Sequence, residues 1–172
     1  VLGRLAHEAR EHDRRGRDDR ADEERDVHAR GDGTGLVGAL GILVSLFIDD
    51  SLTQRARSLV AGSGRFLIIS DFMRAELASV VARYVRTGAV SPAEAAALFA
   101  DFDSWSRAFD TAETTSADVR LSEVWLRRLN LNLRAPDAVH IAIAARLGAS
   151  LATFDVRMAE AARALGVLVE PI

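Results

Sequence analysis

An α/β fold with a mainly parallel central sheet is what the sequence predicts, on three observations. Short apolar runs alternate with amphipathic helical patterns from residue 36 onward, as they do where helices connect parallel strands. Hydrophobic residues make up 49% of the 172 positions, which is enough for one buried core. A glycine-rich run at residues 31–35 reads as a linker between an N-terminal segment and this domain.

Residues 1–34 are the first predicted unit, distinct from the domain at residues 35–172. They carry eight arginines and ten acidic residues but no aromatic side chain, and mixed charge of this density favours a disordered tail or an exposed helix. The chain uses arginine to the exclusion of lysine, which suggests a GC-rich gene. Read in a wrong frame, such a gene yields strings rich in arginine, aspartate, glycine and histidine. A misread segment is therefore a second explanation of residues 1–34.

Strands are predicted where apolar residues follow one another in short runs. A weaker candidate lies near Ala108–Asp110. The four main candidates are Leu36–Leu40, Phe66–Ser70, Leu151–Phe154 and Val167–Val169.

Two helices are predicted after the second strand. Apolar residues from Met73 to Val85 recur at three- and four-residue spacing, which indicates a helix that buries one face and ends near Gly88. The next helix begins at Ser91-Pro92-Ala93-Glu94, where serine is the N-cap, proline takes the first helical position and glutamate completes a capping box.

Two further helices are predicted nearer the C-terminus. One follows Ser116, and a second begins at Pro136 and is apolar on nearly every side as far as Leu147. The latter should be the buried helix of the domain. The apolar positions of the former include Val119, Val124, Trp125 and Leu129.

Composition excludes several classes of function. Without cysteine, the chain has no disulfide, thiolate zinc site or cysteine nucleophile. Its net charge of −3 rules out a broad basic surface, so any RNA contact needs local arginines or metal ions at an acidic site. The longest mostly apolar stretch, Leu36–Ile48, is shorter than the ~20 residues that span a bilayer. We therefore expect no membrane anchor and a cytoplasmic protein.

Three acidic residues are predicted to share one edge of the sheet. Asp155 follows an apolar strand, Glu76 lies early in a helix, and Asp137 is in the first turn of the buried helix. The carboxyl ends of parallel strands and the N-termini of the connecting helices meet at one edge, where ligand sites form. Carboxylates there suit Mg²⁺ or Mn²⁺, ions that activate water for phosphodiester hydrolysis.

Each acid also has a structural interpretation, because free N–H groups and the helix dipole favour carboxylates in a first turn. For Asp155 and Asp137 the two interpretations stay open on sequence alone. Glu76 adjoins the buried stripe of its helix, where a glutamate is also often only an amphipathic edge residue.

Three segments resemble the later motifs of the VapC-type PIN-domain family. Their order and spacing are similar to those of the family, and the likeness runs from about Ile42 to Val169. The segments are Ser70–Leu77 (SDFMRAEL), Leu133–Ala142 (LRAPDAVHIA) and Ala152–Asp155 (ATFD).

The resemblance implies a PIN-like three-layer α/β/α sandwich and a Mg²⁺- or Mn²⁺-dependent endoribonuclease, the toxin of a type II toxin–antitoxin pair. It also implies an RNA substrate, a small antitoxin partner and a homodimer. Glu76, Asp137 and Asp155 match the second, third and fourth acids of the family's metal site, which makes them the expected catalytic and metal-binding residues. Thr153 matches a supporting hydroxyl.

The first family motif is where the sequence departs from the pattern. The family has Asp-x-Ser at the end of the first strand, and the matching residues here are Ala39-Leu40-Gly41. Two explanations are open: a variant with a weakened or inactive site, or a wrong coding frame upstream of about Ile42. Loss of one of four carboxylates lowers the expected affinity for a hard cation. The alternative function is therefore a catalytically inactive PIN-fold interaction module that binds an antitoxin or RNA.

Other polar residues near the predicted edge are secondary candidates. Arg74, Arg134 and Arg157 are proposed contacts for RNA phosphates, although surface arginines most often contact nothing specific. His140, one helical turn after Asp137, is predicted to be a packed, hydrogen-bonded histidine rather than a metal ligand or base.

Asp71 is considered as a partial replacement for the missing acid. Trp105 and Trp125 are predicted to anchor the core or a dimer rather than to stack on bases.

Overall fold

A four-stranded parallel sheet forms the centre of the domain in the computed structural model, which describes residues 35–48, 50–62 and 66–170. The strands lie in the order β3-β2-β1-β4. The predictions for residues 1–34 fall outside the described residues. The strands are β1 (Gly35–Gly38), β2 (Phe66–Ser70), β3 (Asp110–Ala112) and β4 (Ser150–Ala152).

Helices fill the connections between these strands. In the part of the chain that the structure describes they are α1 (Leu40–Phe47), α2 (Thr53–Gly62), α3 (Asp71–Arg86), α4 (Pro92–Ser106), α5 (Ser116–Leu126), α6 (Ala135–Leu147) and α7 (Val156–Ala164).

The strands have an apolar core on each face. Successive strand residues point to opposite faces, so Leu36 belongs to one core and Val37 to the other. The core around Leu36 is completed by helices α1 to α4, and the core around Val37 by α5, α6 and α7. The predicted α/β/α sandwich with a parallel sheet is thereby confirmed.

Local sequence signals set the helix ends, and the capping box predicted at Ser91 is among them. The Ser70 hydroxyl accepts a hydrogen bond from the Met73 N–H (3.1 Å) at the start of α3. Ser91 and Glu94 form the reciprocal capping box of α4. Helix α6 is buried along residues 138–144 and ends at Gly148, whose φ of 60° is a conformation that glycine adopts without strain.

Strand ends differ from the prediction because the chain turns earlier. β1 stops at Gly38 rather than Leu40, since Ala39 is already the N-cap residue of α1. β4 stops at Ala152 rather than Phe154, since the Thr153 hydroxyl accepts the Asp155 N–H (3.1 Å) in the turn into α7.

The predictions for the two edges of the sheet were also inaccurate. The weak candidate near Ala108–Asp110 is a strand displaced to Asp110–Ala112. The predicted strand Val167–Val169 forms only an isolated bridge between Val169 and Leu151, flanked by the hydrogen bond from Leu151 N–H to the Leu168 carbonyl (2.7 Å).

The apolar positions predicted for α5 were mostly wrong. Val119 and Val124 are exposed, and Leu129 lies beyond the helix end with a φ of 59° and 90% exposure. The face of α5 that is buried carries Asp118, Ser122 and Trp125. Two polar side chains, Asp118 and Ser122, therefore lie on the buried face together with Trp125, the one predicted apolar position that is buried.

Helix α2 has no counterpart among the predicted helices. Half of its sequence TQRARSLVAG is polar, and Ala56 and Leu59 are its buried apolar residues. Val60 also packs against this core, so positions 56, 59 and 60 do have helical spacing, which the prediction did not use. No helix within the described ranges combines the length and apolarity that crossing a membrane requires.

Candidate active site

The direction of chain progression across the sheet reverses beside β1. The chain passes from β1 to β2 to β3 on one side and then returns to β4 on the other side of β1. In open parallel sheets, ligands bind at the carboxyl ends of the strands at such a switch point. Here the Ala39 N–H donates to the Ala152 carbonyl (2.8 Å). The position at which the first acid is expected therefore lies at the switch point.

Asp155 begins α7 on the same edge. Its Oδ1 accepts hydrogen bonds from the N–H groups of Arg157 (2.8 Å) and Met158 (3.2 Å), so the carboxylate is a helix N-cap. The side chain is exposed. Because both bonds use Oδ1, capping and ion binding are compatible: no hydrogen bond to Oδ2 is formed within the described ranges.

Asp137 is half-buried in the first turn of α6. Burial raises the pKa of its carboxyl group, and the negative charge of Asp155 raises this pKa further. A hydrogen bond from the Arg134 N–H (3.2 Å) and the electrostatic influence of His140 and Arg134 lower this pKa, but they do not cancel the rise. Asp137 and Asp155 are thus near enough for their charges to interact, and burial is the larger cause of the raised pKa of Asp137.

Glu76 lies one and a half turns into α3, with its side chain 17% exposed. Its Oε2 is 2.5 Å from Nε2 of His140. His140 is 2% exposed, so the prediction of a packed, hydrogen-bonded histidine is confirmed.

The three acids supply oxygen donors, which is the ligand chemistry that Mg²⁺ and Mn²⁺ prefer. Across residues 35–48, 50–62 and 66–170, no three acidic or histidine side chains lie close enough together to share one ion. Mg²⁺ usually binds through one or two carboxylates and keeps several waters. The pair Asp137 and Asp155 therefore fits such an ion in kind, and the ligand role of Glu76 stays a prediction.

The two replaced motif positions have different surroundings. Ala39 is 5% exposed and its methyl group offers no ligand atom to the switch point. Gly41 is exposed, and a Cβ atom added there would meet no neighbouring atom within 4 Å. A serine at position 41 is therefore sterically acceptable.

Arg74 is engaged between two helices. Its Nη1 donates to the Ser106 hydroxyl (2.9 Å), its Nη2 pairs with Asp103 (2.7 Å), and its guanidinium lies over the ring of Phe102. These contacts tie α3 to α4, so Arg74 has a structural role, and its contact with RNA stays a prediction.

Arg134 and Arg157 are exposed at the starts of α6 and α7. Their backbone N–H groups hold Asp137 and Asp155, which places both arginines beside the acidic pair. Their contact with RNA is likewise a prediction.

Asp71 and the tryptophans have structural partners. Asp71 Oδ1 accepts hydrogen bonds from the N–H (2.9 Å) and hydroxyl of Thr114 and so anchors the loop after β3. Trp125 is buried in the core, as predicted. Trp105 packs against Phe47 and Phe109, with ring centroids 5.2 and 4.3 Å apart.

One buried ion pair, between Asp118 and Arg146, was not predicted from the sequence. Asp118 in α5 is 1% exposed and accepts two hydrogen bonds from Nε of Arg146 in α6 (2.8 and 3.1 Å). Nη2 of Arg146 also donates to the Glu113 carbonyl (2.8 Å). The pair fixes α6, and thereby Asp137, against α5.

The fold and the site together define the class of protein: a parallel α/β/α domain with acidic side chains at the switch point, where open α/β sheets bind ligands. Within that class the family is shown by sequence: the PIN domain model matches residues 41–164. The chain belongs to the PIN domain family.

Solved structures share this fold at low sequence identity. VapC20 of Mycobacterium tuberculosis, described as a sarcin-ricin loop cleaving toxin, is 18% identical with a TM-score of 0.61, over 79% of this chain and 99% of that one. FitAcB of Neisseria gonorrhoeae is 15% identical with a TM-score of 0.62, over 79% and 96%. VapBC2 of Rickettsia felis, bound to promoter DNA, is 14% identical with a TM-score of 0.58, over 79% and 97%. No curated protein sequence gives a significant match.

Proposed function

We propose that this protein is a ribonuclease that hydrolyses RNA phosphodiester bonds with Mg²⁺ or Mn²⁺, as the toxin of a type II toxin–antitoxin pair. The observation that carries the proposal is the acidic pair Asp137 and Asp155 at the switch point, where burial and, to a smaller extent, the charge of Asp155 raise the pKa of Asp137. Perturbed acids of this kind cluster at functional sites. Membership of the PIN family and the likeness to an RNA-cleaving toxin support the choice of a nuclease.

The residues of the chain have separate roles in this proposal. Asp137 and Asp155 hold the divalent ion, with Glu76 as the third acid and the Thr153 hydroxyl supporting the turn before Asp155. The ion supplies an activated water and neutralises charge on the phosphodiester. Arg134 and Arg157 lie beside the acids and are the proposed contacts for RNA phosphates.

The proposed partners are a small antitoxin and a second copy of the chain. They rest on the resemblance of the three sequence segments to VapC-type toxins. The structural likeness to VapBC2, which is bound to a fragment of promoter DNA, is in keeping with a toxin–antitoxin module. A cytoplasmic location belongs to the same proposal.

The second candidate is a catalytically inactive PIN-fold module that binds an antitoxin or RNA. Two observations favour it: Ala39 provides no carboxylate, and three ion-binding side chains do not assemble in the described part of the chain. The two candidates differ in whether RNA is cut.

The test compares the chain with the double variant Ala39→Asp, Gly41→Ser in Mg²⁺- and Mn²⁺-dependent cleavage of a broad RNA pool. Groups that stabilise transition-state charge are commonly worth about 10²–10³-fold in rate, so we expect the double variant to be faster by about that factor. Adding Asp137→Asn to the double variant should remove the gain while circular dichroism shows an unchanged fold.

A double variant that binds Mn²⁺ normally but cuts no RNA would contradict the nuclease and favour the interaction module. The DNA upstream of Ile42 separates the two explanations of Ala39. A second frame there that encodes an Asp-x-Ser strand supports a frame error, and coding potential that continues through the present frame contradicts it.

A further inference from the structure

His140 connects two of the three acid-bearing helices. It lies on α6 one turn after Asp137, and its Nε2 is 2.5 Å from the carboxylate of Glu76 on α3. A carboxylate can only accept, so the ring donates from Nε2. Within the described residues, the Glu76 side chain forms its hydrogen bond with His140. Both side chains are largely shielded from water, and a hydrogen bond is stronger in such surroundings than in water.

The ring is held by packing rather than by a second hydrogen bond. Phe72 contacts it edge to face, with ring centroids 5.3 Å apart. The other ring nitrogen, Nδ1, is buried without a hydrogen-bond partner in the described part of the chain. Burying an unpaired polar atom costs free energy, so a histidine kept only for packing is a poor choice here.

The neighbouring positions of α6 show what packing alone selects. Val139, Ile141 and Ile143 are all buried and aliphatic, and a leucine at position 140 would fill comparable space without an unpaired nitrogen. The chemical property that distinguishes His140 from them is its hydrogen bond to Glu76.

We propose that His140 is a positioning residue that fixes the Glu76 carboxylate relative to Asp137, and that this raises the affinity of the site for a divalent cation. The inference rests on the proposed function. Groups that orient a metal-binding carboxylate from behind typically change metal affinity by about 10–100-fold.

Two substitutions separate the hydrogen bond from packing. His140→Gln places an amide N–H near the position of Nε2, whereas His140→Leu fills the space without a donor. By isothermal titration with Mn²⁺, we expect His140→Leu to bind about 10–100-fold more weakly and His140→Gln to recover most of the affinity. The matched control is Ser122→Ala, which removes a buried hydroxyl that bonds to the Val119 carbonyl (2.8 Å) on α5 and should leave Mn²⁺ binding unchanged.

A double-mutant cycle identifies the route of the effect. If His140 acts through Glu76, then His140→Leu should cause no further loss in a Glu76→Gln background, because the effects of residues in contact are not additive. A purely structural role for His140 predicts the same loss in both backgrounds.

Unchanged Mn²⁺ affinity in His140→Leu, or an equal loss with and without Glu76, overturns the inference and leaves the proposed function standing. An absence of Mn²⁺ binding by the unsubstituted chain contradicts the proposed function instead. In that case NMR of the metal-free protein decides the inference: Glu76 should occupy one rotamer in the unsubstituted chain and in His140→Gln but average over several in His140→Leu. A single rotamer in His140→Leu overturns it.

Discussion

Asp118 and Asp137 occupy the same position in two packed helices, yet their carboxyl groups behave in opposite ways. Each is the third residue of its helix, and each accepts a hydrogen bond from the backbone N–H of the N-cap residue, Thr115 (2.8 Å) or Arg134 (3.2 Å). Burial raises the pKa of both groups. For Asp118 the hydrogen bonds from Arg146 and Thr115 outweigh burial and lower its pKa, whereas Asp137 faces Asp155 and its pKa is raised.

The difference shows that the tertiary partner, and not the local helix motif, decides what a first-turn acid does. Arg146 neutralises Asp118, so the pair can be buried and can hold α5 against α6. Asp137 is partly buried without such a neutralising side chain, and the charge of Asp155 adds to the cost of keeping it ionised in the absence of a cation. Repulsion of this kind is expected where a site must bind a cation rather than where a protein needs rigidity.

The largest effect should follow from breaking the structural acid. Asp118→Ala leaves the partly buried Arg146 without its carboxylate, and removal of one partner of a buried pair costs about 3–5 kcal/mol. Because Arg146 is 20% exposed and water can reach it, we expect the lower end, about 3 kcal/mol. Urea unfolding at neutral pH measures the change.

Ser122→Ala on the same helix face is the control for loss of a buried polar group without a charge, and it should cost much less. An Asp118→Ala protein as stable as the unsubstituted chain would show that α5 and α6 do not depend on the pair.

The sequence predicts those features of the fold and the site that depend on residues close together in the chain. The N-cap at Ser91, the start of α6 within one residue of Pro136 and the position of Asp155 after an apolar strand were all predictable, because capping and strand patterns act over a few residues. The Asp118–Arg146 pair joins residues 28 apart, and the Glu76–His140 contact joins residues 64 apart. A basic residue in the last turn of a helix is already explained by the helix dipole, so nothing local marked Arg146 as the partner of a buried acid.

The sequence also misleads where a polar side chain replaces an apolar one in the core. Helix α5 was predicted to bury Val119 and Val124, but both are exposed because the ion pair of Asp118 takes the inward face. At the site, the rule for parallel sheets predicted that the acids lie near one another, and the charge of Asp155 does act on Asp137, whereas a shared site with Glu76 stays a prediction. The failure of the three acids to form a three-ligand group depends on side-chain distances, which spacing along the chain does not fix.

A smaller effect of the opposite sign should follow from neutralising Asp137. Asn at this position can still accept the Arg134 N–H but is not repelled by Asp155. Relief of a repelled charge typically contributes about 0.5–2 kcal/mol, so Asp137→Asn should raise the free energy of unfolding at neutral pH. A loss of stability there would contradict the interpretation that burial and the charge of Asp155 destabilise the ionised Asp137.

The two acids should also give opposite trends with pH. The folded-state pKa of Asp137 is raised, so the stability linked to its protonation is present below the unfolded pKa, near 3.9, and is lost as pH rises through the folded value. The gain in Asp137→Asn should therefore appear at neutral pH and vanish in acid. The pKa of Asp118 is lowered, so its contribution is present above the unfolded pKa and is lost as pH falls through the folded value. Urea unfolding of both variants between neutral and acid pH tests the two trends together.

The smallest effect should come from an exposed pair on the same helix as Asp118. Glu123 accepts from Nη2 of Arg127 at 2.6 Å, a shorter contact than that of Asp118 with Arg146, but the two side chains are 58% and 76% exposed. Water and salt screen such a pair, so Glu123→Gln should cost about 0.3–0.5 kcal/mol, and less at high salt. Urea unfolding at two salt concentrations measures this. A cost as large as that of Asp118→Ala would mean that the length of the hydrogen bond governs the contribution of a carboxylate. A cost near zero, beside a large one for Asp118→Ala, would leave burial and the tertiary partner as the properties that separate the acids of this domain.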